Sequence, residues 1–206
     1  MRVGILGGTF NPPHLAHLVC AQEAHARLGL DRVVLMPAGE PPHKQVAPGD
    51  PSPEQRYELC LRAVEGDDRF TVSRAELDRP GRSYTVDTLR LLRERDPGDE
   101  LTFIVGGDMA ASLPSWHDAE AVLELATLAV AERRGAMRAA IEQALAPLAG
   151  SERVVFFDMP RFDLSSSEVR ERVAEGRPIR YLVPDAVAQT IAANGLYRSV
   201  RGEVMN

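Results

Sequence analysis

Val3-Gly4-Ile5-Leu6-Gly7-Gly8-Thr9-Phe10-Asn11-Pro12-Pro13-His14-Leu15-Ala16-His17 is the stretch on which the reading of this chain turns. The apolar run Val3 to Leu6 reads as a short buried strand ending at Gly7. Two successive glycines, Gly7 and Gly8, let the backbone approach a ligand closely, and a helix is expected to open around Pro13 with its first amides aimed at the same spot. His14 and His17 stand three positions apart. At helical spacing both imidazoles project from one face, beside the positive end of the helix dipole. Strand, glycine turn and helix start in that order describe a phosphate site. The spacing is neither Gly-x-Gly-x-x-Gly nor a P-loop, because no Gly-Lys-Ser or Gly-Lys-Thr follows.

Outward from this stretch the chain alternates. Apolar or β-branched runs fall at Val33 to Met36, Phe70 to Val72, Leu101 to Val105, Thr127 to Ala131 and Val154 to Phe157. Helical patterns lie between them: Leu15, Leu18 and Val19 share one face, Glu54 to Val64 forms a second helix, and Val86, Leu89 and Leu92 mark a third. Two more are expected at Ala119 to Leu125 and Met137 to Leu148. Right-handed crossover units explain such alternation. The expected class is α/β, a doubly wound, Rossmann-like parallel sheet with helices on both faces and its ligand crevice at the carboxyl ends of the strands. From Ser165 on, only helices follow, about Ser167 to Glu175 and Pro184 to Asn194, so a short C-terminal helical extension is expected. The chain is read as one domain over 1–206, with a sheet core over 1–162 and the helical part over 163–206. Pro37 to Pro53, rich in Pro, Gly and polar residues, predicts a long mobile loop, and Asp78 to Arg82 a tighter turn.

A chain of 206 residues with 44% hydrophobic content can bury a full core. Its net charge of -6 disfavours nucleic acid and anionic membranes as partners, since both need clustered Lys and Arg. A local positive site for a small anion is compatible with that total. Cys20 and Cys60 are too few for a disulfide framework or a zinc knuckle and read as reduced core thiols. With no basic and apolar leader and no run long enough to span a bilayer, the expected location is the cytoplasm.

Gly8-Thr9-Phe10-Asn11-Pro12-Pro13-His14-Leu15-Ala16-His17 resembles the His-x-Gly-His motif of the nucleotidyltransferases, with Ala16 where that motif has Gly. Leu164-Ser165-Ser166-Ser167-Glu168-Val169-Arg170 is similar to the same family's Ile-Ser-Ser-Thr-x-Ile-Arg motif. Ser165 there can cap a helix with Glu168 three residues on, leaving amides and hydroxyls at a positive helix end, and Arg170 can reach phosphate. Between these motifs the resemblance narrows to the bacterial nicotinate mononucleotide adenylyltransferases and spans nearly the whole chain. Pro41-Pro42-His43-Lys44 matches a loop whose Lys lies near phosphate, and Ser83-Tyr84-Thr85-Val86-Asp87-Thr88-Leu89 matches the segment whose Thr meets the nicotinate carboxylate. Gly106-Gly107-Asp108 is like the family's Gly-x-Asp, whose acid belongs on ribose. Trp116 falls where the family stacks an aromatic ring on the pyridine, with His117 in place of a commoner Tyr. Glu132-Arg133-Arg134-Gly135 is like the Arg-Pro-Gly turn beside adenine, with Arg133 the matching residue and Arg134 where Pro usually stands.

The resemblance implies transfer of the adenylyl group of ATP to nicotinate mononucleotide, giving nicotinate adenine dinucleotide and pyrophosphate. The implied catalytic set is His14, His17, Lys44 and Arg170. Gly7, Gly8, Thr9, Phe10, Thr85, Gly106, Asp108, Trp116, Arg133, Ser165 and Ser166 would bind the nucleotides. Mg2+ would arrive with ATP, held by phosphates and water, with no dedicated protein ligand. A homo-oligomer is compatible with the sequence. Each residue type also has an ordinary use: histidines and serines cap helices, Thr85 could be only a cap and Asp108 only a turn residue, Trp116 could pack a core, and Lys44 and Arg133 could be solvated charges. Competing functions are an adenylyltransferase for nicotinamide mononucleotide or another phosphorylated acceptor, and a nucleotide-binding sensor without chemistry. A class I aminoacyl-tRNA synthetase fits poorly, because the chain is short, acidic and lacks a Lys-Met-Ser-Lys-Ser loop.

Overall fold

Strand and helix alternate in the computed structural model, which describes residues 1–42, 47, 49–132 and 138–198. The strands are β1 (Arg2–Gly8), β2 (Arg32–Pro37), β3 (Phe70–Val72), β4 (Glu100–Gly106), β5 (Thr127–Glu132) and β6 (Val154–Asp158). The helices among the described residues are α1 (Leu15–Leu28), α2 (Pro53–Ala63), α3 (Thr85–Arg95), α4 (Gly107–Ala111), α5 (Ala119–Leu125), α6 (Arg138–Leu145), α7 (Ser166–Ala174) and α8 (Asp185–Ala193). The strands form one sheet in the order β3-β2-β1-β4-β5-β6, with parallel pairing throughout. This is the α/β, doubly wound, Rossmann-like arrangement the alternation predicts, and the order reverses between β1 and β4.

The central strands read as unbroken apolar runs because both of their faces are covered. Val3 and Ile5 of β1, Phe103 and Val105 of β4, and Leu128 and Val130 of β5 pack with Val86 and Leu89 of α3, Val122 of α5 and Ile141 of α6. Residues of opposite parity, Leu6, Ile104 and Ala129, meet Cys20, Ala21 and Ala24 of α1 on the other face. Cys20 and Cys60 are buried free thiols, and burial pushes the Cys20 thiol up to about 12, far from reactivity. A third apolar cluster joins Leu59 and Ala63 of α2 to Val169 of α7 and Val187 and Ile191 of α8. The C-terminal helices therefore rest on α2, at the side of the sheet where the β1 loop emerges.

Candidate functional site

β1 ends at Gly7 and Gly8, paired in register with Met36 and Pro37 of β2. Aromatic rings of the protein stand close to both. A Cβ on Gly7 would stand 3.1 Å from the Phe103 ring, and one on Gly8 3.3 Å from the Phe10 ring. Phe10 is buried with φ of 48°, a left-handed conformation that costs a bulky residue about 1–3 kcal/mol and recurs at functional loops. Its ring meets His17 edge-on at 5.0 Å between centroids.

The helix expected around Pro13 starts instead at Leu15, and His14 is its extended N-cap, with φ -143° and ψ 171°. A local hydrogen bond accounts for the shift: the His14 amide donates to His17 Nδ1 at 3.2 Å, as in a capping box. The two rings then stack, 3.7 Å between centroids and 22° between planes. With Nδ1 accepting, the neutral His17 ring carries its proton on Nε2, the nitrogen at the far side of the ring. His14 is only 5% exposed, and burial holds its imidazole down to about 4, so it is neutral at pH 7. Among the described residues its Nδ1 is buried without a hydrogen-bond partner.

Two amides expected to face an anion at the start of α1 are already bonded. Leu15 N–H donates to the Leu182 carbonyl at 2.9 Å, because the C-terminal extension packs onto this helix end, and His17 N–H turns back to the His14 carbonyl at 3.0 Å. Fewer amides are therefore open at this point than a bare helix start would offer.

α7 clasps the same loop. Ser166 Oγ donates to the Pro12 carbonyl at 2.8 Å, and the Arg170 guanidinium donates to the Asn11 carbonyl at 2.8 Å and to Ser167 Oγ at 3.1 Å. Ser165 caps α7, its Oγ accepting the Glu168 amide at 3.1 Å. Glu168 does not return the bond expected of a capping box; its carboxylate pairs with Arg172 at 3.2 Å. The hydroxyls of this motif, expected to stand open at the helix end, are engaged in holding the loop and the cap. Tyr197 adds a tie, its hydroxyl donating to Asn11 Oδ1 at 2.8 Å.

A second cluster gathers beyond the switch point. Thr85 is the first residue of α3, with Tyr84 at its N-cap. The Tyr84 and His117 rings meet at 4.6 Å, and Arg90 of α3 bridges to Asp118 at 2.6 Å, so α3 and the 116–118 segment lie together. Trp116 is half-buried, edge-on to Phe103 at 6.1 Å, with its indole N–H donating to Ser112 Oγ at 3.0 Å. Gly106 ends β4 and caps α4, and Asp108 stands exposed in the first turn of that helix. His14, His17, Arg170, Ser165 and Ser166 are thereby brought to the β1 loop, while the helix that starts at Thr85 and the segment that carries Trp116 lie together. Lys44 and Arg133 lie outside the described residues. A separate hollow of about 200 Å³, lined by Arg2, Arg93 and Arg153, opens at the amino ends of the strands, away from these groups. Its Arg93 and Arg153 bond the carbonyls of Leu125, Asp99 and Glu124.

The chain matches the cytidylyltransferase-like family over residues 5–172. A Thermus thermophilus protein described as a probable nicotinate-nucleotide adenylyltransferase is 48% identical over 199 residues, 96% of this chain and 100% of the relative. One from Rubrobacter xylanophilus with the same description is 40% identical over 209 residues, 100% of this chain and 98% of the relative. The chain belongs to the nicotinate-nucleotide adenylyltransferase family.

Solved structures agree on the fold of this adenylyltransferase family member. The Plasmodium falciparum nicotinic acid mononucleotide adenylyltransferase complexed with NaAD superposes with a TM-score of 0.76 at 17% identity, over 95% of this chain and 97% of that chain. The same enzyme complexed with APC gives 0.74 at 17% identity, over 95% and 96%.

Arg56, Glu76, Asn11 and Tyr197 escaped the sequence reading. For Arg56 a signal existed: it shares the helical spacing of Leu59, Cys60 and Ala63, so it lies on the buried face of α2. A lone arginine on such a face must find internal acceptors. Its guanidinium is 0% exposed and donates to the carbonyls of Thr9 at 2.8 Å and Gly39 at 3.1 Å.

Proposed function

We propose that this chain transfers the adenylyl group of ATP to nicotinate mononucleotide, forming nicotinate adenine dinucleotide and pyrophosphate for NAD biosynthesis. The observation that carries the reading is the stacked His14–His17 pair on a clasped loop at the carboxyl end of β1, in a chain whose full-length relatives bear that description. The attacking phosphate has a second pKa of about 6 and is largely dianionic at neutral pH, so no general base is required. The protein's task is to hold two anions in line, for which proximity and orientation supply about 7–11 kcal/mol, and to stabilise charge as pyrophosphate leaves.

In this reading His17 Nε2–H donates to a phosphate oxygen. His14 stays neutral until a polyphosphate draws a proton onto it, which the low value of about 4 makes unfavourable in the empty protein. Arg170 and Lys44 add positive charge, and Gly7, Gly8, Thr9 and Phe10 form the wall beneath the phosphates. Ser165 and Ser166 close the other side. Thr85 meets the nicotinate carboxylate, Trp116 stacks on the pyridine, Gly106 and Asp108 hold ribose, and Arg133 lies by adenine. No group of three His, Cys, Asp or Glu among the described residues could hold a metal ion. Magnesium is assigned to the phosphates of ATP on chemical grounds alone, and no step is drawn through a protein ligand. The chain acts as one domain over 1–206, in the cytoplasm; no helix among the described residues is long and apolar enough to cross a membrane.

The test is pyrophosphate release by the purified protein with ATP, magnesium and nicotinate mononucleotide, run beside nicotinamide mononucleotide. Release with the acid, and slower release with the amide, is expected. His17→Asn keeps an oxygen that can accept the His14 amide, so it should fold while losing turnover by a hundredfold or more. Turnover within tenfold of the wild type overturns the role of His17, and binding of ATP without release by the wild type favours the sensor.

A further inference from the structure

A chain of buried polar groups runs from the phosphate-side loop to the acceptor-side helix, and none of its side chains belongs to the site assigned above. It begins at Arg56, whose guanidinium bonds the Thr9 carbonyl at 2.8 Å and the Gly39 carbonyl at 3.1 Å. Thr9 follows β1 and Gly39 follows β2, so one side chain fixes the spacing of two adjacent loops. The Gly39 amide then donates to Ser83 Oγ at 3.0 Å, and the Ser83 hydroxyl helps hold down the pKa of the Glu76 carboxyl that burial raises. Glu76 in turn accepts the Thr88 hydroxyl at 2.7 Å. Thr88 lies one turn into α3, the helix that starts at Thr85.

Every side chain in this series is buried: Arg56 at 0%, Thr88 at 1%, Ser83 and Glu76 at 7% exposure. Among the described residues the Arg56 guanidinium bonds main-chain carbonyls rather than a carboxylate, Asp50 and Glu76 acting on it only through space, and its Nε has no hydrogen-bond partner. Enclosing a guanidinium without a bonded carboxylate is costly unless its remaining bonds are geometrically fixed. The packing around Gly39 is equally exacting. A Cβ there would stand 2.4 Å from the Glu76 carbonyl oxygen, so the β2 loop and the Glu76 turn touch backbone to backbone. Main-chain bonds reinforce the contact: Ser83 N–H donates to the Glu40 carbonyl at 2.8 Å.

We propose that Arg56, Ser83 and Glu76 are positioning residues that hold the phosphate-side loop and the start of α3 at a fixed separation, so that acceptor and ATP, each bound in its own half, meet in line. This rests on the functional reading above. None of the three touches substrate; they act through Thr9 and through Thr85. A misplacement of about 1 Å between reacting groups can lower a rate about a hundredfold while leaving each ligand's own contacts in place.

That separation of binding from turnover is the readout. Ser83→Ala and Arg56→Met are compared with wild type at a temperature where all are folded, measuring kcat by pyrophosphate release and the Kd of each substrate alone by calorimetry. Expected are Kd values within about twofold of wild type and kcat lowered tenfold to a hundredfold. Glu76→Gln, which can still accept from the Thr88 hydroxyl, should keep kcat within about threefold, whereas Glu76→Ala should not. Unchanged kcat in Ser83→Ala overturns the proposal, and so does a weakened Kd for one substrate with kcat preserved, which would mean that the series merely shapes one half. If Arg56→Met fails to fold, Ser83→Ala decides. Wild-type protein that binds both substrates but releases no pyrophosphate overturns the functional reading and this proposal with it, whereas an active wild type with insensitive variants overturns the proposal alone.

Discussion

Burial of His14 makes a quantitative prediction about stability and pH. The folded imidazole titrates at about 4 against 6.5 for the unfolded chain. Between those values the unfolded state binds a proton that the folded state refuses, so stability falls as pH falls. The contribution is fully present above about 6.5 and is lost progressively toward 4. Worked through the linkage relation, the two values give a loss of about 2 kcal/mol between pH 7 and pH 5. His14→Asn replaces the ring with a side chain that does not titrate there. Urea unfolding of both proteins at pH 7 and pH 5 isolates the imidazole, because every other group, including the buried Glu76, titrates in both. Wild type should lose about 2 kcal/mol more than the variant over that interval. Equal losses would refute the reasoning and mean that the ring is solvated in the folded protein.

Gly39→Ala places a methyl 2.4 Å from the Glu76 carbonyl oxygen and forces two loops apart. A loss of about 1–3 kcal/mol, read as a drop of several degrees in Tm, is expected, and an unchanged Tm would contradict the close approach. Tyr197→Phe removes the donor to Asn11 Oδ1 and leaves that buried oxygen without its tie. About 1–3 kcal/mol should be lost in denaturant unfolding, and a neutral result would show that the tie is not formed in solution.

The sheet was legible because each strand is a local fact: an apolar run bounded by polar or glycine residues. Phe70–Val72 matches the expected run, and the other strands gain only end residues such as Arg2, Glu100 and Asp158, whose polarity hid their place in the ladder. α4 went unread because five residues are too few to display a 3.6-residue period. The histidine pair was legible as a pair, yet its geometry was not, since the expected helical spacing gives way to an N-cap whose amide seeks the second ring. The glycines, amides and hydroxyls expected at the phosphate also have neighbours within the protein. These neighbours, the Phe103 ring, the Leu182 carbonyl and the Pro12 carbonyl, come from elsewhere in the chain, and no local pattern announces them.

The bonds that fasten the β1 loop connect residues 154, 159 and 186 positions apart. A ribosome therefore makes the two histidines long before the side chains that frame them. Until Ser166, Arg170 and Tyr197 emerge, the nascent polypeptide carries the reactive pair on an unfastened segment, and a product cut short before Ser166 would keep both imidazoles while lacking these three ties. Assembly of the pocket therefore waits on translation past these residues.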